Sequence, residues 1–168
     1  GGCPDWYLPN ADARGYYRFD LAAADFEKLR HAVPALSAPE QLVYADALGS
    51  AFRRGTLEPA ALLDAMPAMA RSDMPQVATA LLDEFEWLRE QVADVATRTR
   101  LDAYAVRLYA PRMRQLGYRH RDGEAGAATA LRTRLAEFLA MRVRDPAVRA
   151  ELSRQGRAAS GRDGSGTA

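Results

Sequence analysis

From residue 22 onward the apolar side chains recur at spacings of three and four, and the runs are bounded by caps, glycines or prolines. That pattern constrains the fold more than anything else in the chain. It predicts short helices on short connections, each with one face that needs a partner. Phe26, Leu29, Arg30 and Val33 mark a first helix that ends before Pro34. Ser37 and Glu40 form a capping box for a helix over 38–54, with Tyr44, Leu48 and Phe52 on one face and Gly55 as its stop. Thr56 is the expected cap of a helix over 57–70, which Pro67 should kink or end early. Ser72 or Asp73 should cap a long helix over about 74–95 whose stripe is Val77, Leu81, Phe85, Leu88, Val92 and Val95.

The second half continues the pattern. Leu101, Tyr104, Ala105 and Leu108 give a helix over 98–116, interrupted at Pro111 and closed at Leu116-Gly117. Leu131, Leu135, Phe138, Leu139 and Met141 give one over 124–143. Asp145-Pro146 reads as an N-cap with proline at the first position of a helix over 146–156. Sequential neighbours on short loops pack antiparallel. The hairpins start at residues 38, 74 and 124, which suits a solenoid of stacked helical hairpins, with a compact non-repetitive bundle as the other option.

The first 21 residues differ. After the turn-rich Pro9-Asn10-Ala11-Asp12-Ala13, the stretch from Gly15 to Leu21 alternates, with Tyr17, Phe19 and Leu21 on one face and Tyr16, Arg18 and Asp20 on the other. Residues 5–21 therefore read as a β-hairpin or two short strands, which alone would be marginal in water. The segment after residue 156 holds glycine and serine and no large apolar side chain, and reads as a frayed tail.

Composition bounds the function. The chain has 168 residues, 48% hydrophobic and 27% charged, which is enough to build a core. Net charge is +1, but residues 1–97 carry 8 basic and 15 acidic side chains (−7) and residues 98–168 carry 15 and 7 (+8). Charge matching between neighbouring hairpins is the favoured reading of that split, ahead of a phosphate-binding track. No apolar run approaches the roughly 20 residues of a membrane helix, and the start of the chain lacks the pattern of a signal peptide. Lys28 is the single lysine among 23 basic residues, as codon bias in a GC-rich genome would give.

Catalytic patterns are missing. His31 and His120 are the two histidines, with no His-Glu-x-x-His pair to place two imidazoles on one helix face. His31 reads as a helix-end residue and His120 as a solvated loop residue. Cys3 has no histidine near it in sequence, and no Gly-x-Ser-x-Gly, Ser-x-x-Lys or phosphate loop occurs. Asp83, Glu86 and Glu90 share a helix side, but no Glu-x-x-His accompanies them, so a solvated face is expected. Arg100, Arg107 and Arg114 lie seven apart on one face, with Arg121 beyond them. We therefore expect no catalytic, cofactor-binding or metal-binding residue in this chain.

The segment Pro9-Asn10-Ala11-Asp12-Ala13-Arg14-Gly15-Tyr16-Tyr17-Arg18-Phe19 resembles the Asn-x-x-x-x-Gly-Tyr-Tyr-Arg-Val element of aminopeptidase N-type zinc metallopeptidases, the gluzincin aminopeptidases. Pro39 to Ala47, Arg53-Arg54-Gly55-Thr56-Leu57, Leu116-Gly117, Leu131-Arg132 and Asp145-Pro146 are similar, in that order, to landmarks of the family's C-terminal helical domain. Gln41 stands where the family often has arginine, and Tyr118 replaces a tryptophan landmark. The resemblance spans roughly residues 6–157. It implies a mainly α fold of stacked antiparallel hairpins in a HEAT-like right-handed superhelix, preceded by a short β-hairpin. Residues 1–21 would be the remnant of a β-sandwich module, 22–156 the helical-repeat domain, shorter than is usual in the family and so incomplete, and 157–168 a flexible tail.

The family's zinc helix and Gly-x-Met-Glu-Asn loop lie upstream of this element and have no counterpart here. The resemblance thus implies a non-catalytic piece of a bacterial zinc aminopeptidase, cytoplasmic or in the cell envelope. Zinc and peptide substrates would belong to the parent, and the partners would be its catalytic and β-sandwich domains. A free-standing helical-repeat scaffold for a protein or nucleic acid is the alternative, with nucleic acid the weaker partner.

Overall fold

The computed structural model describes residues 5–15, 17 and 19–159. It is mainly helical and divides into two compact units, Gly1–Asp94 and Val95–Ala168. Residues 95–97 carry no charge, so the unit boundary is also the boundary of the charge split, −7 against +8. No helix among the described residues is long and apolar enough to cross a membrane.

The first unit contains α1 (Ala23–Ala32), α2 (Ala38–Arg53), α3 (Pro59–Ala70), α4 (Pro75–Ala78) and α5 (Leu82–Trp87). A 3-10 turn at Val33–Ala35 carries Pro34 between α1 and α2, as the proline requires. Glu40 reaches back to accept from Ser37 N at 2.9 Å, the expected arm of the capping box. Gly55 closes α2 at φ +73°, a left-handed position that suits glycine. α1 and α2 both pack on α3, and α2 also packs on α4 and α5. The shared core holds Phe26, Leu29, Tyr44, Leu48, Leu62, Met66 and Phe85. Phe26 and Tyr44 meet edge to face at 6.3 Å, and burial pushes the Tyr44 phenol well above its usual range.

Residues 5–21 do not form the expected hairpin: among the described residues they contain no strand. Alternating aromatics alone did not decide the conformation, because local hydrogen bonds close a loop instead. Asn10 spans it, its Oδ1 accepting from Gly15 N at 2.7 Å and its Nδ2 donating to Gly15 O at 2.8 Å. Asp12 and Ala13 take positive φ, incompatible with a strand. A side chain at residue 15 would overlap the Tyr17 ring and press on Asn10 Oδ1, which explains why glycine follows asparagine at that spacing. Tyr16 and Arg18 of the motif, and Cys3, lie outside the described residues.

The expected long helix over 74–95 is also replaced. Its N-cap is Met74 rather than Ser72 or Asp73, and the helix breaks after Ala78. Thr79 Oγ1 donates to Pro75 O at 2.8 Å, a bond that competes with helix continuation. Beyond α5 a π turn over Leu88–Val92 ends in Ala93 N donating to Leu88 O. The break and the wide turn shift the phase of the stripe. Val77, Leu81, Phe85 and Leu88 are buried, whereas Val92 and Val95 are 53% and 79% exposed.

Two prolines sit inside helices they were expected to disrupt. Pro67 lies in α3, which buries Leu62, Ala65 and Met66 before it and Met69 and Ala70 after it. Each large apolar side chain so buried contributes about 1.5–3 kcal/mol, enough together to offset the roughly 3 kcal/mol cost of an interior proline. Thr56 is not the cap of α3. Its hydroxyl donates to Ala51 O at the end of α2, and Glu58 holds the cap position.

The second unit contains α6 (Val95–Leu116), α7 (Gly126–Glu137) and α8 (Pro146–Ala159). α6 runs through Pro111 and buries Leu101, Ala105, Tyr109, Ala110 and Met113, so Tyr104 and Leu108 are only half-buried. It packs on α7 and on the turn that follows it, where Tyr109 meets Phe138 edge to face at 5.7 Å. α7 passes into a π turn over Phe138–Arg142, and the phase shift leaves Met141 68% exposed. Asp145 Oδ1 accepts from Val148 N at 2.7 Å, the expected cap of α8. Residues 160–168 of the glycine-rich tail lie outside the described residues.

Candidate functional site

The surface of α2 lines two clefts of the first unit. Asp12 and Asp20 are tied to the two ends of this helix. Glu40 accepts from Asp12 N at 3.1 Å near its start, and Arg54 pairs with Asp20 at 3.0 Å beyond its end. Between these ties lies a cleft of about 810 Å³, lined by Gly15, Tyr17, Phe19, Pro39, Leu42 and Val43 among others. The Tyr17 hydroxyl donates to Pro9 O at 2.5 Å, leaving its ring more than half exposed. Glu40 also accepts from Ser37 Oγ, and the hydroxyl and amide donors of Ser37 hold its carboxyl below the ordinary range.

A second cleft of about 640 Å³ shares Leu42 and Asp46 with the first and is more charged. Its lining includes Arg53, Arg54, Asp83 and Glu84. Arg53 lies over the Trp87 ring at 4.7 Å, donates to Asp83 O at 3.3 Å and approaches Glu84 at 3.9 Å. Trp87 in turn packs edge to face on Phe52 at 5.5 Å. Gly49 makes room here, since a Cβ on it would sit 3.0 Å from Glu84 Cγ. Sequence reasoning missed this Arg53–Trp87–Glu84 group because Arg53 lies more than thirty residues before the other two. The glycine inside α2 was the available signal of a close approach.

The second unit holds a polar cluster at the end of α6. Arg132 is buried; its Nε donates to Gly117 O at 3.0 Å, a second nitrogen donates to Leu116 O at 3.3 Å, and the guanidinium pairs with Glu124. Thr129 Oγ1 donates to Glu124 at 3.0 Å, and His120 Nδ1 approaches the same carboxylate at 3.2 Å. The Arg132 guanidinium, ahead of Thr129, pulls the Glu124 carboxyl down to about 2. Gly117 takes φ +73°, so this cluster caps a left-handed helix end.

His31, exposed in the last turn of α1, lies 3.1 Å from Glu27 and is no part of either cleft. Glu27 accepts two bonds from Arg30, which bring its carboxyl down to about 2. His120 belongs to the helix-capping cluster. Asp83 and Glu86 lie on α5 and Glu90 in the π turn. Among the described residues no group of three His, Cys, Asp or Glu side chains could hold a metal ion, so a zinc centre does not fit them. Arg100, Arg107 and Arg114 are exposed on α6, with Arg121 exposed in the loop that follows.

The sequence matches the ERAP1-like C-terminal domain family over residues 6–167. The chain belongs to that family. Its helices from Ala23 onward, and the Asn10–Gly15 loop before them, are thus this protein's version of an ERAP1-like C-terminal domain, the helical domain of an aminopeptidase-type protein. Neither a curated protein nor a solved structure matches the chain.

Proposed function

We propose that the chain is the helical C-terminal domain of a zinc aminopeptidase, where it closes the chamber around the active site and restricts which peptides enter. The observation that carries this reading is the family match over residues 6–167, nearly the whole chain. On this reading the helices continue as a stack of antiparallel hairpins, wound as a HEAT-like superhelix, and present one side to the peptide. Zinc, the general base and the peptide amino-terminus site belong to the catalytic domain of the parent. The chain supplies walls and charge, and no catalytic side chain. The exposed aromatics of its first described segment, Trp6, Tyr7 and Tyr17, suit a seat against a preceding β-sandwich module.

The purified chain should hydrolyse no aminoacyl anilide and should bind no stoichiometric zinc by metal analysis after dialysis. Hydrolysis together with one bound zinc per chain would overturn the reading. The coding sequence upstream gives an independent check, since it should encode His-Glu-x-x-His followed by a further glutamate. A free-standing helical scaffold is the second reading, favoured by the net +8 of the second unit. A start codon immediately before Gly1 would favour it.

A further inference from the structure

We propose that the exposed face of α6 binds an acidic helix of a partner protein, one whose carboxylates repeat every seven residues. α6 carries Arg98, Arg100, Arg107, Arg112 and Arg114 against one acid, Asp102. Arg98, Arg112 and Asp102 make interactions within the protein. Arg100, Arg107 and Arg114 are exposed, and none of the three forms an ion pair among the described residues. The residues three and four positions away from them are Ala96, Thr97, Ala103, Tyr104, Ala110, Pro111, Gly117 and Tyr118, so no carboxylate on the helix can neutralise them. Ala103 and Pro111 are exposed and short, and leave the guanidinium groups standing clear of the surface between them.

The spacing selects the partner. Seven residues of helix advance about 10.5 Å, so the three charges span about 21 Å with a drift of only ~20° per step. A second helix crossing at about 20° keeps the same repeat, and carboxylates at heptad positions on it meet each arginine in turn. The planar guanidinium suits a two-oxygen acceptor. A nucleic-acid backbone fits less well: a duplex presents a charge about every 1.7 Å, and three arginines so far apart neutralise few of them.

The test is fluorescence anisotropy of the full chain at low ionic strength with a labelled helical peptide bearing glutamate at heptad positions. Binding should fall at least about tenfold in the triple variant Arg100→Gln/Arg107→Gln/Arg114→Gln, with helix content by circular dichroism unchanged. The triple Arg→Lys variant should retain only part of the binding, because it keeps the charge and loses the two-oxygen fork, and a peptide of equal composition with scrambled glutamates should bind more weakly. Absence of binding, equal binding by the triple glutamine variant or by the scrambled peptide, or tighter binding of a DNA duplex would each overturn the proposal. The three single Arg→Gln variants are measured as well, so a folding failure of the triple variant leaves the comparison intact: unchanged binding in all three refutes the stripe.

Discussion

At the scale of single residues, buried or tethered polar side chains decide the local geometry. Arg132 satisfies two carbonyls at the end of α6 and the Glu124 carboxylate with one planar group. Arg132→Met should therefore lower stability by roughly 2–4 kcal/mol, because helix-end carbonyls and a carboxylate lose charge-assisted partners. Arg132→Lys should recover only part of it, since an ammonium cannot fork to all three acceptors. Urea unfolding of the three proteins checks this; a lysine variant as stable as wild type would refute the fork argument. Sequence reading singled out Leu131-Arg132 as a landmark without its role, because the carbonyls it serves lie fifteen and sixteen residues away. Asn10 and Gly15 were more legible. Their spacing was visible, and the reason is a local pair of hydrogen bonds, although the same bonds replaced the strands that the neighbouring aromatics suggested.

At the scale of elements, four caps or stops were readable, the N-caps expected at Thr56 and at Ser72 or Asp73 were not, since Glu58 and Met74 hold those positions, and neither was the phase of long stripes. Ser37–Glu40, Gly55, Gly117 and Asp145-Pro146 act through partners within a turn or so, and all four end or begin helices as expected. The stripes failed at π turns, over Leu88–Val92 and Phe138–Arg142, where a wider turn advances the chain by about one residue and turns Val92 and Met141 outward. Nothing in the spacing of apolar residues announces such a turn. The prolines follow a related rule: the local cost of each is offset by tertiary burial on both sides of it. Pro111 sits exposed inside α6 with buried residues on both sides of it. Pro111→Ala should restore an amide donor for Arg107 O and relieve the ring clash, stabilising the protein by roughly 1–3 kcal/mol, or about 2–10 °C in Tm. A thermal melt with no rise in Tm would mean that α6 has already absorbed the proline without strain.

At the scale of the whole molecule, charge and architecture share a boundary, with an acidic unit ending at Asp94 and a basic one starting at Val95. The boundary of charge was visible in the sequence; that it is also a boundary of packing required coordinates, because packing depends on which faces meet. Each unit contains one carboxyl held down to about 2 by an arginine, Glu27 by Arg30 and Glu124 by Arg132. Both folded values lie below the roughly 4.3 of an unfolded glutamate. The unfolded chain therefore takes up protons first, and the stability these pairs contribute is complete above about pH 4.3 and lost as pH falls toward 2. The two pairs differ in exposure: the Glu27 side chain is 52% exposed and that of Glu124 11%. Salt should screen the first far more than the second. Urea midpoints should consequently drop between pH 5 and 2.5 in both low and high salt, more shallowly in Glu124→Gln, and the part of the drop that survives high salt should be the part Glu124→Gln removes. A flat pH profile, or a Glu124→Gln profile parallel to wild type in high salt, would show that the Arg132–Glu124 pair does not tie folding of the second unit to proton uptake.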